Sequence, residues 1–348
     1  MADNLKMNFD GHSLITPDAI SDEIFGGSVT DGEKLLEQAK SELYLSLALV
    51  QQLIDSGAEP QTIVHRTAGL MHQIRHKLHP SIWREIIPLV QAHPTREFFR
   101  QDPFTRWSFD KPRGYSGDAQ LLDFIYGHPS VDAYIAQSSD VGLALYDYTK
   151  DASSSVAVRE RRDLLTSFVD KAAMRSIEKP EVLTIAAGHL REANRSIALR
   201  ENRLKRWVAL DQDSQSIGSI ARDFAGTAIE AVDGSVRSIL SRHHNLGEFD
   251  LVYAAGLYDY LIDKVAIKLT QRCLDMLKPG GSFLFANFAE EITVDGYMET
   301  YMNWALLLRS EADMWRIIHA SADPSEFTSE VFFGENRNIV YGVIRRNA

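Results

Sequence analysis

Four short segments in the second half of the chain carry residue types whose order and spacing suit a ligand site. In EVLTIAAGHLREA (181–193) an apolar run of strand length ends at Ala186, Ala187 and Gly188, with His189 and Arg191 just beyond. Small residues at such a turn let the backbone approach a ligand closely. A helix opening after it would aim free amides and a positive dipole end at an anion. In WVALDQD (207–213), Asp211 ends the next apolar run 23 positions after Gly188, with Gln212 beside it. An acid in that place can accept hydrogen bonds from both hydroxyls of a ribose, while Asp213 suits the cap of the following helix. In AVDGSV (231–236), Asp233 is placed to accept from an adenine amino group, and Gly234 and Ser235 to approach the ring through backbone. In FDLVYAAGLYDYL (249–261), Ala254, Ala255 and Gly256 follow a fourth apolar run.

These segments need a scaffold, and the second half supplies its pattern. Strand-length runs at 182–185, 207–210, 229–232, 251–253 and 282–286 alternate with helical stretches. That alternation predicts a parallel sheet with helices on both faces. Runs 328–333 and 339–345 flank GENRN (334–338) and predict a closing β-hairpin. A final antiparallel strand on a parallel sheet is the usual ending of class I methyltransferases. A nicotinamide dinucleotide would also use the acid after the second strand. However, G-x-G-x-x-G is missing, and the Pro-Gly-Gly turn of LKPGGSFLFANF (277–288) and the hairpin point instead to S-adenosyl-L-methionine, its carboxylate at the first turn and its sulfonium against Ala254 and Gly256. The expected fold class is α/β, a Rossmann-like methyltransferase sheet at 146–348 behind an α-helical domain at 1–145.

The first half reads as mostly helical after an irregular arm at 1–29. Asp31 is placed to cap a helix that leaves through Gly57; Pro60 opens a second that ends before Pro80; further helical patterns fall near 82–92 and 118–137. On the second helix Ile63, Thr67, Leu70, Ile74 and Leu78 form one apolar stripe. His65, His72, His76 and His79 invite a metal reading, His72 and His76 being one turn apart. At about 100° per residue all four fall opposite the stripe, so the expectation is a solvent-facing row and no metal.

KPRGYSGDAQLLDFIY (111–126), GLYDYL (256–261), the LKPGG turn, Asn287-Phe288 and YMETYMNWALLLR (297–309) resemble a group of methyltransferases that includes enzymes of bacterial 3-hydroxy fatty-acid methyl ester biosynthesis, from about residue 100 to the end. The resemblance implies O-methylation of a small molecule; the alternatives are a regulatory protein that binds the cofactor without transfer, and a methyltransferase of another acceptor, nitrogen, RNA or protein. The sequence departs from the group at the first turn, where AAGHLRE replaces a glycine-rich run. Tyr115, a candidate for catalysis and acceptor binding, and Gly117 suit a lid, and Arg159 and Arg162 of VRERR an anion site. Met298, Met302 and Leu306, with Tyr301 and Trp304, form an apolar wall suited to an acyl chain, beside Asn287; Arg309 can hold a carboxylate by a fork of two hydrogen bonds. A carboxylate acceptor is ionised at neutral pH and needs no base. A hydroxyl needs one, for which His128 and Asp259 are the candidates, Tyr260 standing beside the latter.

The formal charge of −11 disfavours a nucleic-acid partner, which calls for a basic face. The single cysteine, Cys273, allows no intrachain disulfide and suits a reducing cytoplasm. The opening MADNLKMNFDGHS has no secretory pattern, and the apolar stretch at 43–50 is too short to span a bilayer. A cytoplasmic protein with a small-molecule acceptor is expected; a homodimer is one option for its assembly.

Overall fold

Each run expected to be a strand is one, extended by one to five residues at its ends: β1 (Glu181–Ile185), β2 (Arg206–Asp211), β3 (Ile229–Asp233), β4 (Phe249–Ala254), β5 (Leu277–Phe288), β6 (Phe327–Phe333) and β7 (Ile339–Arg346). They form one sheet in the order β3-β2-β1-β4-β5-β7-β6. The first five are parallel, and β7 runs antiparallel to both β5 and β6. The Pro-Gly-Gly sequence is not a free turn before β5. It lies inside the strand, where the β4–β5 register slips between Phe249↔Leu277 and Leu251↔Ser282.

The computed structural model describes residues 17–27, 32–175 and 178–348. It divides into two units: Pro17–Val156 with Ile292–Leu306, and Ala157–Glu291 with Leu307–Ala348. The second holds the sheet. Its core places Leu183, Ile185, Val208, Leu210, Val252 and Phe283 against the helices Asp263–Leu274 and Glu311–Ser321, with Cys273 fully buried among them. Burial in that apolar setting pushes the Cys273 thiol up, so it stays protonated and inert.

The first unit is helical. Gly32–Asp55 leaves through Gly57 at a φ of +68°, and Pro60–Lys77 and Pro80–Ala92 follow. The proposed cap Asp31 lies outside the described residues. A helix at Pro17–Phe25 stands where the arm was expected. The pattern at 118–137 breaks at Gly127 into Ala119–Tyr126 and two short turns of helix, because Gly127 takes a left-handed φ of +60° and Pro129 cannot continue the ladder. Asp102 is buried at the start of Pro103–Asp110, where it accepts from Phe104 N, Thr105 N and the hydroxyls of Thr105 and Thr149; burial raises its carboxyl to about 6. Among the described residues no helix is long and apolar enough to cross a membrane.

Candidate cofactor site at the carboxyl ends of the sheet

The strand order reverses between β1 and β4, and in open α/β sheets ligands bind beyond the carboxyl ends at such a switch. The parallel neighbours β3, β2, β1 and β4 bring Asp233, Asp211, the 186–190 turn and Ala254–Gly256 to that one edge. The turn departs from a glycine-rich motif in side chains but not in backbone. Ala186, Gly188 and Leu190, which occupy the places of the three glycines, all have left-handed φ, at 55°, 54° and 51°. For an L-residue that conformation costs roughly 1–2 kcal/mol, so neighbours must hold it. Ala187 N donates to Leu210 O at 3.1 Å, and Gly188 N to Asp211 Oδ2 at 2.7 Å.

Asp211 is therefore the hub of the edge. Its Oδ1 accepts from Asp213 N at 2.8 Å, and its main-chain oxygen accepts from Gly234 N at 2.9 Å, tying the ends of β1, β2 and β3 together. Burial raises its carboxyl above the usual range, partly offset by the N–H groups of Asp213 and Gly188. Asp213 caps the helix Ser214–Asp223 by accepting from Gln215 N at 2.9 Å. Gln212 and Asp233 are exposed. Ser235 differs from expectation: its hydroxyl and its N–H form a capping box with Ser238, so its backbone donor is already used. His244, which the sequence reading missed, lies beside Gly234, and its Nε2 is buried without a hydrogen-bond partner.

No full helix follows the first turn. Residues 187–192 run on as turns; a 3-10 turn at Ala193–Arg195 and a single helical turn at Ile197–Arg200 come next. The dipole expected to face an anion is thus reduced to one turn, and Arg191 is not on a helix. What pins the loop is Glu192, fully buried, whose Oε1 accepts from Tyr253 Oη at 2.6 Å. Burial raises the Glu192 carboxyl, and Tyr253, Arg161 and Arg162 draw it down. His189 and Arg191 are buried side by side, Nδ1 to Nη2, at 3.2 Å.

Arg161 is the further functional candidate that the spacing of VRERR did not single out. It is buried, donates Nη1 to Ala255 O at 2.7 Å and passes near Gly256, so a fixed cation stands at the end of β4. The pattern favoured Arg159 and Arg162; Arg162 instead pairs with Asp163.

The residues expected to act on the acceptor are largely structural. Asp259 is buried; its Oδ1 accepts from Phe288 N at 2.6 Å and its main-chain oxygen from Leu307 N, which fastens the end of β5. Burial raises its carboxyl to about 6 against the nearby charges of Arg161 and Arg309. Tyr260 is half-buried in the same turn. Arg309 does not offer an open fork. Nη1 donates to Tyr258 O and Asn287 Oδ1, and Nη2 to Leu261 O and Asp263 Oδ1, while Asn287 Nδ2 donates to Phe288 O and Leu307 O. Met298, Tyr301, Met302, Trp304 and Leu306 are buried in the first unit, where Tyr301 packs on Phe99 and Tyr297. They are core, not an open acyl wall. His128 caps the 3-10 turn Pro129–Val131, its Nδ1 accepting from Ser130 N. Tyr115 is half-buried between Pro103–Asp110 and Ala119–Tyr126, and Asp118 caps the latter.

The histidine row faces solvent at His65, His76 and His79, as expected, but not wholly at His72. His72 is half-buried, and both His72 Nδ1 (2.7 Å) and His76 Nε2 (2.9 Å) reach the carboxylate of Asp295. Helical periodicity cannot show a partner more than two hundred positions away.

No protein-family model and no curated protein matches the sequence. Among solved structures, the chain is similar to a possible exported protein from Bordetella parapertussis, at 14% identity and a TM-score of 0.51 over 83% of this chain and 96% of that one. It is also similar to an S-adenosylmethionine-dependent methyltransferase from Clostridium acetobutylicum, at 10% identity and a TM-score of 0.41 over 58% and 97% of the two chains. Human N-acetylserotonin methyltransferase, solved with its S-adenosylmethionine, gives 13% identity and a TM-score of 0.43 over 80% and 70%. At such identities a likeness speaks for fold alone. The strand order with antiparallel β7 is that of the class I methyltransferase fold.

Proposed function

We propose that the protein transfers a methyl group from S-adenosyl-L-methionine to an oxygen of a small molecule, with a carboxylate favoured over a hydroxyl. One observation carries the reading: a left-handed turn at 186–190, hydrogen-bonded to the acid that ends β2, beside the switch point between β1 and β4. Strained backbone of this kind gathers at ligand clamps. The chain's own residues fit the cofactor. Asp211 would take the ribose hydroxyls, its two backbone bonds leaving further lone pairs to accept. Asp233 and the buried Nε2 of His244 would serve the adenine side, and Arg161, with His189 and Arg191, the carboxylate. When bound, the cofactor supplies an activated methyl group on a sulfonium. The protein's part is alignment and exclusion of water.

The geometry of the candidate bases supports a carboxylate acceptor. Asp259 is buried with Oδ1 bonded to backbone, and His128 is occupied as a cap. A carboxylate needs neither. The resemblance of 111–126 and 256–309 to the 3-hydroxy fatty-acid methyl ester group favours a 3-hydroxy acid as the acceptor. The second reading is a protein that binds the cofactor without transferring from it, and the loss of the helix after the turn favours it. Calorimetry with S-adenosylmethionine, followed by labelled-methyl transfer to a series of carboxylic acids and alcohols, separates the two. Binding without transfer to any acceptor supports the second reading, and no saturable binding refutes both.

A further inference from the structure

The structure assigns a divalent metal site to His72, His76 and Asp295, all within the first unit and independent of the methyltransferase reading. The two imidazole nitrogens and a carboxylate oxygen lie within 4.8 Å of one another. The present separations, 2.7 Å from His72 Nδ1 to Asp295 Oδ1 and 2.9 Å from His76 Nε2 to Oδ2, are hydrogen-bond lengths, shorter by about half an ångström than the ~3.4 Å between ligands that Zn–N and Zn–O bonds of about 2.1 Å imply for a tetrahedron. A modest opening of the three groups makes room for the ion. Two histidines one helical turn apart plus one acid from another segment is a nitrogen and oxygen donor set for a first-row cation such as zinc rather than magnesium or calcium.

Two further observations favour a cation. First, the acid is held in place. Asp295 is 2% exposed, Gly296 N donates to its Oδ1 at 2.8 Å, and a Cβ on Gly296 would stand 2.5 Å from the backbone of Met71. The segment Asp295–Thr300 therefore lies directly on the helix Pro60–Lys77. Second, the formal charges do not balance. Asp295 and Glu299 are both buried acids, and among the described residues Arg75 is the one permanent cation paired with them, with Nε bonded to Glu299 at 2.9 Å and Nη1 3.2 Å from Asp295 Oδ2. Neutral imidazoles leave one negative charge uncompensated, and burying such a charge is costly. A proton would answer that need as well, so the test must tell a metal from a proton. Access exists: the His76 side chain is 47% exposed, and His72 lines a cleft of about 560 Å³ with His65 and Tyr148.

The test is a titration of the full chain, first stripped with chelator, with Zn2+ by calorimetry and with Co2+ by visible absorption. One equivalent should bind, and Zn2+ should raise the melting temperature. His76→Gln and His72→Gln should each weaken binding by about tenfold or more and abolish the metal-dependent rise. His76 is exposed enough that its variant should keep the fold, which far-ultraviolet circular dichroism checks. Absence of saturable uptake at millimolar metal, or uptake unchanged in both variants, overturns the assignment and leaves the cluster as a set of hydrogen bonds to Asp295.

Discussion

Ala186 and Leu190 share a backbone conformation and differ in burial, which makes them a matched test of the turn. Ala186 has a φ of 55° and is exposed; Leu190 has a φ of 51° and is 1% exposed. Replacing Ala186 by Gly removes a left-handed penalty of roughly 1–2 kcal/mol. It also restores about 0.4–1 kcal/mol of freedom to the unfolded chain. The methyl is exposed, so little burial is lost, and the net gain is about 0.5–1 kcal/mol. For a unit of this size that raises the melting temperature by roughly 1–4 °C. Leu190→Gly gains the same relief but empties a core position, which costs about 2–5 kcal/mol for removal to alanine alone, so it should be less stable than the parent. Thermal melts and urea titrations followed by circular dichroism read both. S-adenosylmethionine affinity in Ala186→Gly should hold or improve, because the hydrogen bonds from Ala187 and Gly188 remain. A destabilised Ala186→Gly, or two variants shifting in the same direction, would refute the left-handed turn and with it the main support for the cofactor site.

Asp211→Ala should weaken S-adenosylmethionine binding by about 1–3 kcal/mol in calorimetry, since it removes acceptors facing an oriented ligand; unchanged affinity would remove Asp211 from the ribose. Arg309→Met strands Tyr258 O, Leu261 O and Asn287 Oδ1 in the interior, at about 1–3 kcal/mol for each unpaired group; a denaturant midpoint equal to the parent's would mean that the fork is free after all. Asp259 has its carboxyl raised from 3.8 to about 6 by burial. The stabilisation linked to that shift is present below the lower value and lost as pH rises through the upper one, so Asp259→Asn should gain on the parent as pH climbs across that window; a constant difference would contradict the assignment. Glu181 runs the other way: burial pushes it up, but Lys205, Arg206 and Lys278 outweigh that and bring it down to about 2. Its contribution is lost only as pH falls toward that value, and Glu181→Gln should flatten the acid limb of the unfolding curve.

The sheet was legible because each strand is a short apolar run whose neighbours are set by topology, and because the β6–β7 hairpin is local. The places of Asp211 and Asp233 at the ends of β2 and β3 were legible for the same reason, since a residue at a strand end has a fixed place. Side chains whose fate depends on distant partners were not. Arg309 looked like a ligand fork until Tyr258, Leu261 and Asn287 closed around it. Arg161 and Arg162 are adjacent in one helix, and only the position of Ala255 O distinguishes the buried one. Met298, Tyr301 and Trp304 had the composition of a pocket and of a core alike, and packing against Phe99 and Tyr297 decided for core.

The segment Ile292–Leu306 belongs to the first unit, although strands β1 to β5 of the second precede it in sequence. During synthesis from the amino terminus, the helices at 32–150 emerge long before their remaining part. Until then the Trp83 indole and the Arg75 guanidinium lack Glu299, and Phe99 lacks Tyr297 and Tyr301. The first unit thus cannot close as its own residues leave the ribosome; it must wait for the 135 residues between Val156 and Ile292. A nascent chain arrested before β5 would expose an unfinished aromatic core.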